Sequence, residues 1–410
     1  MEQITQTTLQ LKIEDNIYDK RLFTLSKEAG NIYSQSLNLF WYHFNLNNNK
    51  FFSAYKLQSI VSKKLNRKLL HSDSYIASIQ QAHEAIADYF KAKKEFEKYP
   101  SKFSGKPNPP TKPKFLSPIY FKQSAIHINN GFLELSLAKG FKPIKFKWSN
   151  SKPKFVIINY DSTKGWLLNC VIEDNYLHLN LNKNKILAID LGSKRIATTF
   201  DGKTTTLYSG KYTRSLIRLQ NKLEGETKSK LSKLKYGSRQ YKKIKKAKRK
   251  TNTRINNKKK DILHKYSKQI VDYCVFNNIG KIISGDCSSI HTNTNLGKVN
   301  NQSVQQNPEQ QLIKYISYKF ERIGGQTEVK PENYTSQTCP LCGHKHKCQN
   351  RDFICPNCDF KFDRDGVGSI NIWLNNVSFD LKLNVVGALT APIGVLYRDC
   401  PRKRNPRIQI

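Results

Sequence analysis

The apolar positions of the chain change period several times, and each change predicts a different element. Residues 7–13 (TTLQLKI) alternate apolar and polar, as a half-buried strand does. From Leu22 the spacing becomes helical. Leu22, Leu25, Ala29, Ile32, Tyr33, Leu37, Phe40, Trp41 and Phe44 fall on one stripe. Ile76, Ile79, Ala82, Ile86, Tyr89 and Phe90 form a second stripe and predict a second helix. The aromatics of both stripes read as helix core, not as base-stacking platforms. The segment GKPNPPTKPKF, 105–115, ends the helical region, because proline supplies no N–H and clashes with the preceding turn. Period two then returns. Residues 121–128 and 132–137 flank Asn130-Gly131, a pair suited to the positive φ angles of a tight hairpin. Further strand-like runs occur at 143–148, 154–160, 166–172 and 176–181. The pattern predicts an antiparallel β-barrel from 1–14 and 115–181, with the helices of 15–114 inserted into it.

From residue 184 the pattern is mixed. KILAIDLG is a buried apolar strand, and KRIATTFDG and KTTTLYSG are expected to be its antiparallel partners. A long basic helical region spans 211–277. GKIISGD is a second buried strand, 308–323 a helix, and 326–331 a further short strand. Three strands, helix, strand, helix, strand is the RNase H-like order. It predicts an α/β domain over 182–334 and 363–376, interrupted by a small insertion at 335–362 and followed by a tail at 377–410. The fold class expected is therefore multidomain α+β. No internal repeat is visible.

Charge narrows the function. The 410 residues include 70 Lys and Arg against 31 Asp and Glu, a formal net charge of +39. Such an excess repels itself in a compact chain, and a polyanionic partner is the usual reason for it. No apolar run approaches the roughly 20 residues needed to span a bilayer, so a membrane is not the expected partner. The first residues, MEQITQ, carry no basic-then-apolar leader, and the expected location is the prokaryotic cytoplasm, in association with the nucleoid.

The cysteines point the same way. There are nine, and four of them form CPLC and CPNC. Cys339, Cys342, Cys355 and Cys358, with twelve residues between the pairs, can close a tetrahedron of thiolates around one Zn²⁺. Four thiolates leave no open position, so this zinc is expected to be structural. His344, His346 and Cys348 are expected to be solvent-facing loop residues. Cys170, Cys274, Cys287 and Cys400 read as small buried hydrophobes or free thiols.

Two acids stand out. Asp190 ends the apolar run ILAID, where a carboxylate is costly unless a metal or a hydrogen-bond network holds it. Asp365 lies in DRDGVGSINIWL, in the first turn of a predicted helix whose Gly366, Gly368 and Ser369 permit close packing. A helix-borne carboxylate could therefore approach the strand-borne one. Two-metal phosphodiester hydrolysis needs such a cluster, with carboxylates holding two Mg²⁺ about 4 Å apart.

AIDLGSKRIATTFDG, the basic helical region, IISGD, PENYTSQTCPLCG, CPNC and DRDGVGSINI, in this order, resemble the transposon-encoded TnpB (OrfB) family, compact relatives of type V CRISPR effector nucleases. The likeness is dense over about 184–376 and thinner before it. It implies an N-terminal wedge barrel with an inserted helical recognition domain, a RuvC-type nuclease domain, and a zinc ribbon that contacts target nucleic acid. It also implies an RNA-guided DNA endonuclease whose partners are a structured guide RNA and a target DNA with a short flanking motif.

One position departs from that family's pattern. The second nuclease segment usually ends I-x-x-E-D-L, whereas here it reads Ile282-Ile283-Ser284-Gly285-Asp286-Cys287. Gly285 stands where the Glu is expected. Glu332, at the end of the next strand, could reach across the space that Gly285 leaves. Asp286 is the rival, although strand alternation turns it away from the face of position 285. The catalytic set expected is thus Asp190, Glu332 and Asp365, with two Mg²⁺. If neither Glu332 nor Asp286 serves, the protein binds without cutting. A DNA-strand transferase would use the same acids. Residues 241–260 carry eleven Lys or Arg and no acid. Ile255, Ile262, Leu263, Tyr266 and Ile270 continue a packing stripe from them. Lys242, Lys243, Lys245, Lys246, Lys248, Arg249, Lys250 and Arg254 are therefore expected to face phosphates along a guide–target channel.

Overall fold

The computed structural model describes residues 4–14, 18–113, 116–175, 178–286, 306, 308–332, 334–348, 350–378, 382 and 394–398. The chain divides into two compact units, Ile4–Asn175 and a second one running from Tyr176.

In the first unit, β1 (Ile4–Lys12) is followed by three helices, α1 (Asp19–Leu46), α2 (Ala54–Lys64) and α3 (Ser72–Lys98). The two long helices occupy the predicted stripes. Their aromatics are core: Phe40 is fully buried, and its ring lies 4.5 Å from that of Phe52 and 5.7 Å from that of Phe44. The middle helix gave no sequence signal because only Leu57 and Val61 of it are buried, a single i, i+4 pair. Six strands follow: β2 (Ile119–Phe121) through β7 (Gly165–Asn175), with β3 (Ile126–Asn129), β4 (Phe132–Leu135), β5 (Ile144–Lys147) and β6 (Phe155–Asp161) between. Asn130 and Gly131 both take positive φ, 48° and 75°, and close the β3–β4 hairpin. Pairing yields a four-stranded sheet, β1-β7-β6-β2, and a separate three-stranded meander, β3-β4-β5. β1 pairs with β7 across the helical insertion, Leu9 opposite Cys170. One continuous apolar core joins the helices to both sheets. Residues 178–181, expected as a strand, form none. Instead the Leu179 N–H donates to the Ile323 carbonyl at 2.9 Å.

The second unit is built on a six-stranded sheet. Its strands are β8 (Asn182–Asp190), β9 (Arg195–Phe200), β10 (Thr204–Ser209), β11 (Ile279–Gly285), β12 (Gln326–Lys330) and β15 (Gly394–Arg398), in the spatial order β12-β11-β8-β9-β10-β15. β8, β9 and β10 are antiparallel neighbours, whereas β11 runs parallel to β8 and β12 parallel to β11. The parallel strands need crossover helices. These are α5 (Arg239–Phe276), after α4 (Lys211–Ser232), and α6 (Glu309–Glu321). The basic helical region is thus two helices. Gly237, at φ 78°, and the Ser238 side chain, which caps the Tyr241 N–H at 3.2 Å, divide them. β15, part of the tail, adds a parallel strand to β10, with Leu207 opposite Tyr397.

The sheet buries both faces. Leu187, Ile189 and Ile282 pack with Tyr266 and Ile270 of α5 and with Leu312, Ile316 and Phe320 of α6. Ile186, Ala188 and Ile283 pack on the opposite side with Val367, Ile370 and Trp373 of α7 (Arg364–Leu374). The cysteine-bearing insertion joins this second core through Cys339, Phe353 and Cys355, around the small hairpin of β13 (Asp352–Ile354) and β14 (Lys361–Asp363).

Candidate active site and metal centre

Strand alternation decides which acids can meet. Ala188 faces α7, so Asp190, two residues on, leaves β8 on the α7 face. Ile283 faces α7 as well, so Gly285 shares that face and Asp286 turns to the other. Asp286 lines a cavity of about 440 Å³ with Gln310, Lys314 and Tyr318 of α6. α7 approaches Asp190 through Gly368, where an added Cβ would lie 3.0 Å from the Asp190 Cγ and closer still to its Oδ2. Asp365 sits one turn earlier on the same side of that helix. Glu332 fills the space at Gly285: a Cβ there would lie 2.8 Å from the Glu332 Cδ and would overlap its Oε2.

The electrostatics record this convergence. Burial pushes the Asp190 carboxyl well above the usual carboxylate range, and the nearby charges of Glu332, Asp365 and Glu309 push it further. Arg364 opposes them. Carboxylates crowded into a half-buried site resist ionisation unless a cation is shared among them, which is the donor chemistry of a hard divalent ion. Their oxygen donors are of the type such an ion takes, but among the described residues the cysteines at 339, 342, 355 and 358 alone bring three or more metal-ligating atoms within 4.8 Å of one another. Cations also reach the rim. Arg351 Nη1 donates to Asp365 Oδ2 at 2.9 Å, and Arg195 lies 3.5 Å from Asp363. Asp363 caps α7, accepting from the Asp365 N–H at 3.0 Å.

Two of these residues escaped the sequence reading. Glu309 is 6% exposed, in the first turn of α6. Its signal was present: it stands on the same stripe as Leu312, Ile316 and Phe320, an acid on a buried face. Arg351 had no such signal, because its partner Asp365 lies beyond the second cysteine pair.

The four cysteine sulfurs lie within 4.8 Å of one another, with Cys339 to Cys358 at 3.6 Å and Cys342 to Cys355 at 3.5 Å. Zn–S bonds of about 2.3 Å in a tetrahedron demand S–S separations of about 3.8 Å, so the cage fits zinc. The His344 N–H and the Asn357 side chain hold the Cys342 thiol down at about 6, whereas burial lifts Cys339 to about 12. His344 is exposed and His346 half-buried. Cys348 is not solvent-facing as expected. It is buried in the core beneath the cage. Cys170 and Cys274 are buried small hydrophobes, and Cys287 and Cys400 lie outside the described residues.

Of the eight basic residues singled out, Lys242, Lys243, Lys245, Lys246, Arg249, Lys250 and Arg254 are exposed on α5. Lys248 differs. It is half-buried and pairs with Glu224 of α4 at 2.8 Å, so it braces the two helices.

The segments that carry these groups match known proteins. The family model described as "Probable transposase" (OrfB_IS605) matches residues 171–291, and the one described as "Cas12f1-like, TNB domain" matches 310–372. Among curated proteins, TnpB-like protein MJ0751 of Methanocaldococcus jannaschii is 28% identical over 257 residues, 59% of this chain and 86% of that protein. Over these segments the chain is similar to the TnpB (OrfB) family. A second relative, named "Putative RNA-guided DNA endonuclease InsQ" of Escherichia coli, is 27% identical over 201 residues, 46% of this chain and 48% of its own length. Among solved structures, the Cas12f1–sgRNA–target DNA complex superposes with a TM-score of 0.59 at 17% identity, covering 88% of this chain and 83% of that one. The chain therefore has a mixed α/β fold similar to that of Cas12f1. Among the described residues, no helix is long and apolar enough to cross a membrane.

Proposed function

We propose that the protein is an RNA-guided DNA endonuclease in which Asp190, Glu332 and Asp365 hold two Mg²⁺ ions. The observation that carries this reading is the Glu332 carboxyl lying in the space of the missing Gly285 side chain, on the face of the sheet that Asp190 and α7 share. The bound ions would supply an activated water and stabilise the leaving oxygen. The chain's own groups have separate tasks. Asp190 projects from the end of β8, Glu332 reaches in from the segment just after β12, and Gly368 lets α7 bring Asp365 towards them. Arg351 orients the Asp365 carboxylate. Cys339, Cys342, Cys355 and Cys358 would hold one structural Zn²⁺, which fixes the hairpin that bears Arg351.

The same reading assigns 182–334 and 363–376 to a RuvC-type nuclease domain, 335–362 to a ribbon that contacts target nucleic acid, and 377–410 to a tail. It assigns 1–14 and 115–181 to a wedge barrel and 15–114 to an inserted recognition domain. The names of InsQ and of the Cas12f1 complex support a guide RNA and a target DNA as partners. A short motif beside the target would license pairing, and base pairing would carry the rest of the discrimination. Gly285 alone would favour a non-cutting regulator, and the Glu332 carboxyl in its space supports the cutting reading instead. The test has two steps. RNA that co-purifies with the protein should be one abundant structured species ending in a variable guide. A DNA matching that guide should then be cut in Mg²⁺ and left intact in EDTA. Joined strands instead of free ends would indicate a transferase.

A further inference from the structure

The α4–α5 hairpin contains a segment that the core does not explain. Thr213, Leu216 and Ile217 are the buried residues of α4, and burial in α5 begins at Ile255. No side chain from 218 to 254 is buried. The distal part of α5, from Arg239 to Ile255, is about 24 Å long at 1.5 Å per residue. It forms an arm braced by Lys248–Glu224 and by the hydrogen bond from Lys259 to Gln220 at 2.9 Å. Residues 227–260 contain sixteen Lys or Arg and no Asp or Glu. Aromatic rings on such an arm have no fully buried position to fill, and Tyr241 is only half-buried. Yet Tyr236, in the turn at its tip, is 82% exposed, and its ring centroid lies 5.1 Å from that of Tyr241. The Lys245 ammonium stands 5.7 Å from the Tyr241 ring centre. The turn is fixed by Gly237 and the Ser238 cap, so the pair is held in place without a core.

We infer that Tyr236 and Tyr241 form a stacking platform for an unpaired nucleobase of a single nucleic-acid strand, whose flanking phosphates are held by the cations of the arm. The two rings are tilted by 57°, so the exposed Tyr236 ring offers the π-face that a base can cover while Tyr241 braces it, and the surrounding charge suits a polyanion. Stacking on a ring face does not distinguish ribose from deoxyribose, so RNA and DNA strands should both use it. The inference rests on the nucleic-acid reading of the arm and adds a base-binding component to it.

The two components separate by salt and by pairing. The full-length protein would be titrated with 15-nucleotide RNA and DNA strands carrying 2-aminopurine, and with the corresponding blunt duplexes, over a range of salt. Tyr236→Ala should weaken single-strand binding about tenfold, abolish the fluorescence quenching of the base, and leave both the salt slope and blunt-duplex binding unchanged. Tyr236→Phe should behave as the unmodified protein. Loss in only one strand type would support the platform and assign it to that strand. Unchanged single-strand affinity and quenching in Tyr236→Ala would overturn the platform while the salt slope still reports phosphate binding. Absence of any salt-dependent binding by the unmodified protein would instead overturn the reading on which it rests. Tyr236 is exposed, so its replacement leaves the fold intact, which circular dichroism would verify.

Discussion

Gly285 and Glu332 share one volume: a single carbon added to Gly285 would fall 2.8 Å from the Glu332 Cδ. Real carbon–carbon contacts are longer than this, so the glycine and the glutamate are mutually dependent. Gly285→Ala should therefore displace the Glu332 carboxyl and lower single-turnover cleavage about tenfold or more, with guide RNA binding unchanged. Normal cleavage by that variant would show that the carboxyl has no fixed place in the reaction.

Asp286 provides the matching control. It directly follows the last residue of β11 and lines the cavity beside α6. Asp286→Asn should keep most of the cleavage activity, measured on the same guided target. Loss of cleavage in Asp286→Asn together with normal cleavage in Glu332→Gln would reverse the assignment.

Burial and its acidic neighbours raise the Asp190 carboxyl above its unfolded value, which sets a sign for stability. Between the unfolded and folded values the folded chain binds more protons, so stability is lost as pH rises through that range. In EDTA at neutral pH the crowded cluster, with no cation shared among its carboxyls, is a liability. Asp190→Asn should then raise the melting temperature by a few degrees at pH 7 and have little effect near pH 4. Added Mg²⁺ should stabilise the unmodified protein and not the variant. Scanning calorimetry checks both signs, and a lower melting temperature for Asp190→Asn in EDTA at pH 7 would contradict the crowding of charge at this site.

The ribbon is too small to hold itself by burial, since chains below about 40 residues commonly need metals or disulfides. Structural zinc supplies about 10–16 kcal/mol to such modules. Elemental analysis should give one Zn²⁺ per chain. Its removal should expose 335–363 to hydrogen exchange and, through Arg351, lower cleavage. Zinc-free protein with an unchanged exchange pattern would refute a structural role.

The arm predicts a salt effect. Lys242, Lys245, Lys246 and Arg249 are exposed and unoccupied by acids, unlike Lys248. Replacing the four with Ala should weaken binding to all sequences and reduce the slope of log affinity against log salt by about 3. An unchanged slope would show that this face does not touch phosphate.

What the sequence disclosed depended on whether the signal was local. The Asn130-Gly131 turn, the run ending at Asp190 and the two cysteine pairs each carry their cause within a few residues. Alternation along Ile282–Asp286 was enough to separate positions 285 and 286 onto opposite faces. Features that depend on distant partners stayed hidden. β15 is a strand because β10 offers it an edge. Cys348 is buried because the core beneath the cage needs filling, and Lys248 is withdrawn from the basic face because Glu224 stands one helix away. Residues 178–181 alternate like a strand, but their backbone is engaged by the loop after α6.

The most direct test of the central claim is guided cleavage by Glu332→Gln. This substitution keeps the size of the side chain and removes its charge. The protein, purified with its guide RNA and supplied with Mg²⁺ and matching DNA, should bind the target with unchanged affinity and cut it at least about a hundredfold more slowly. Target binding and cutting at the unmodified rate would contradict the assignment of Glu332 to the metal site.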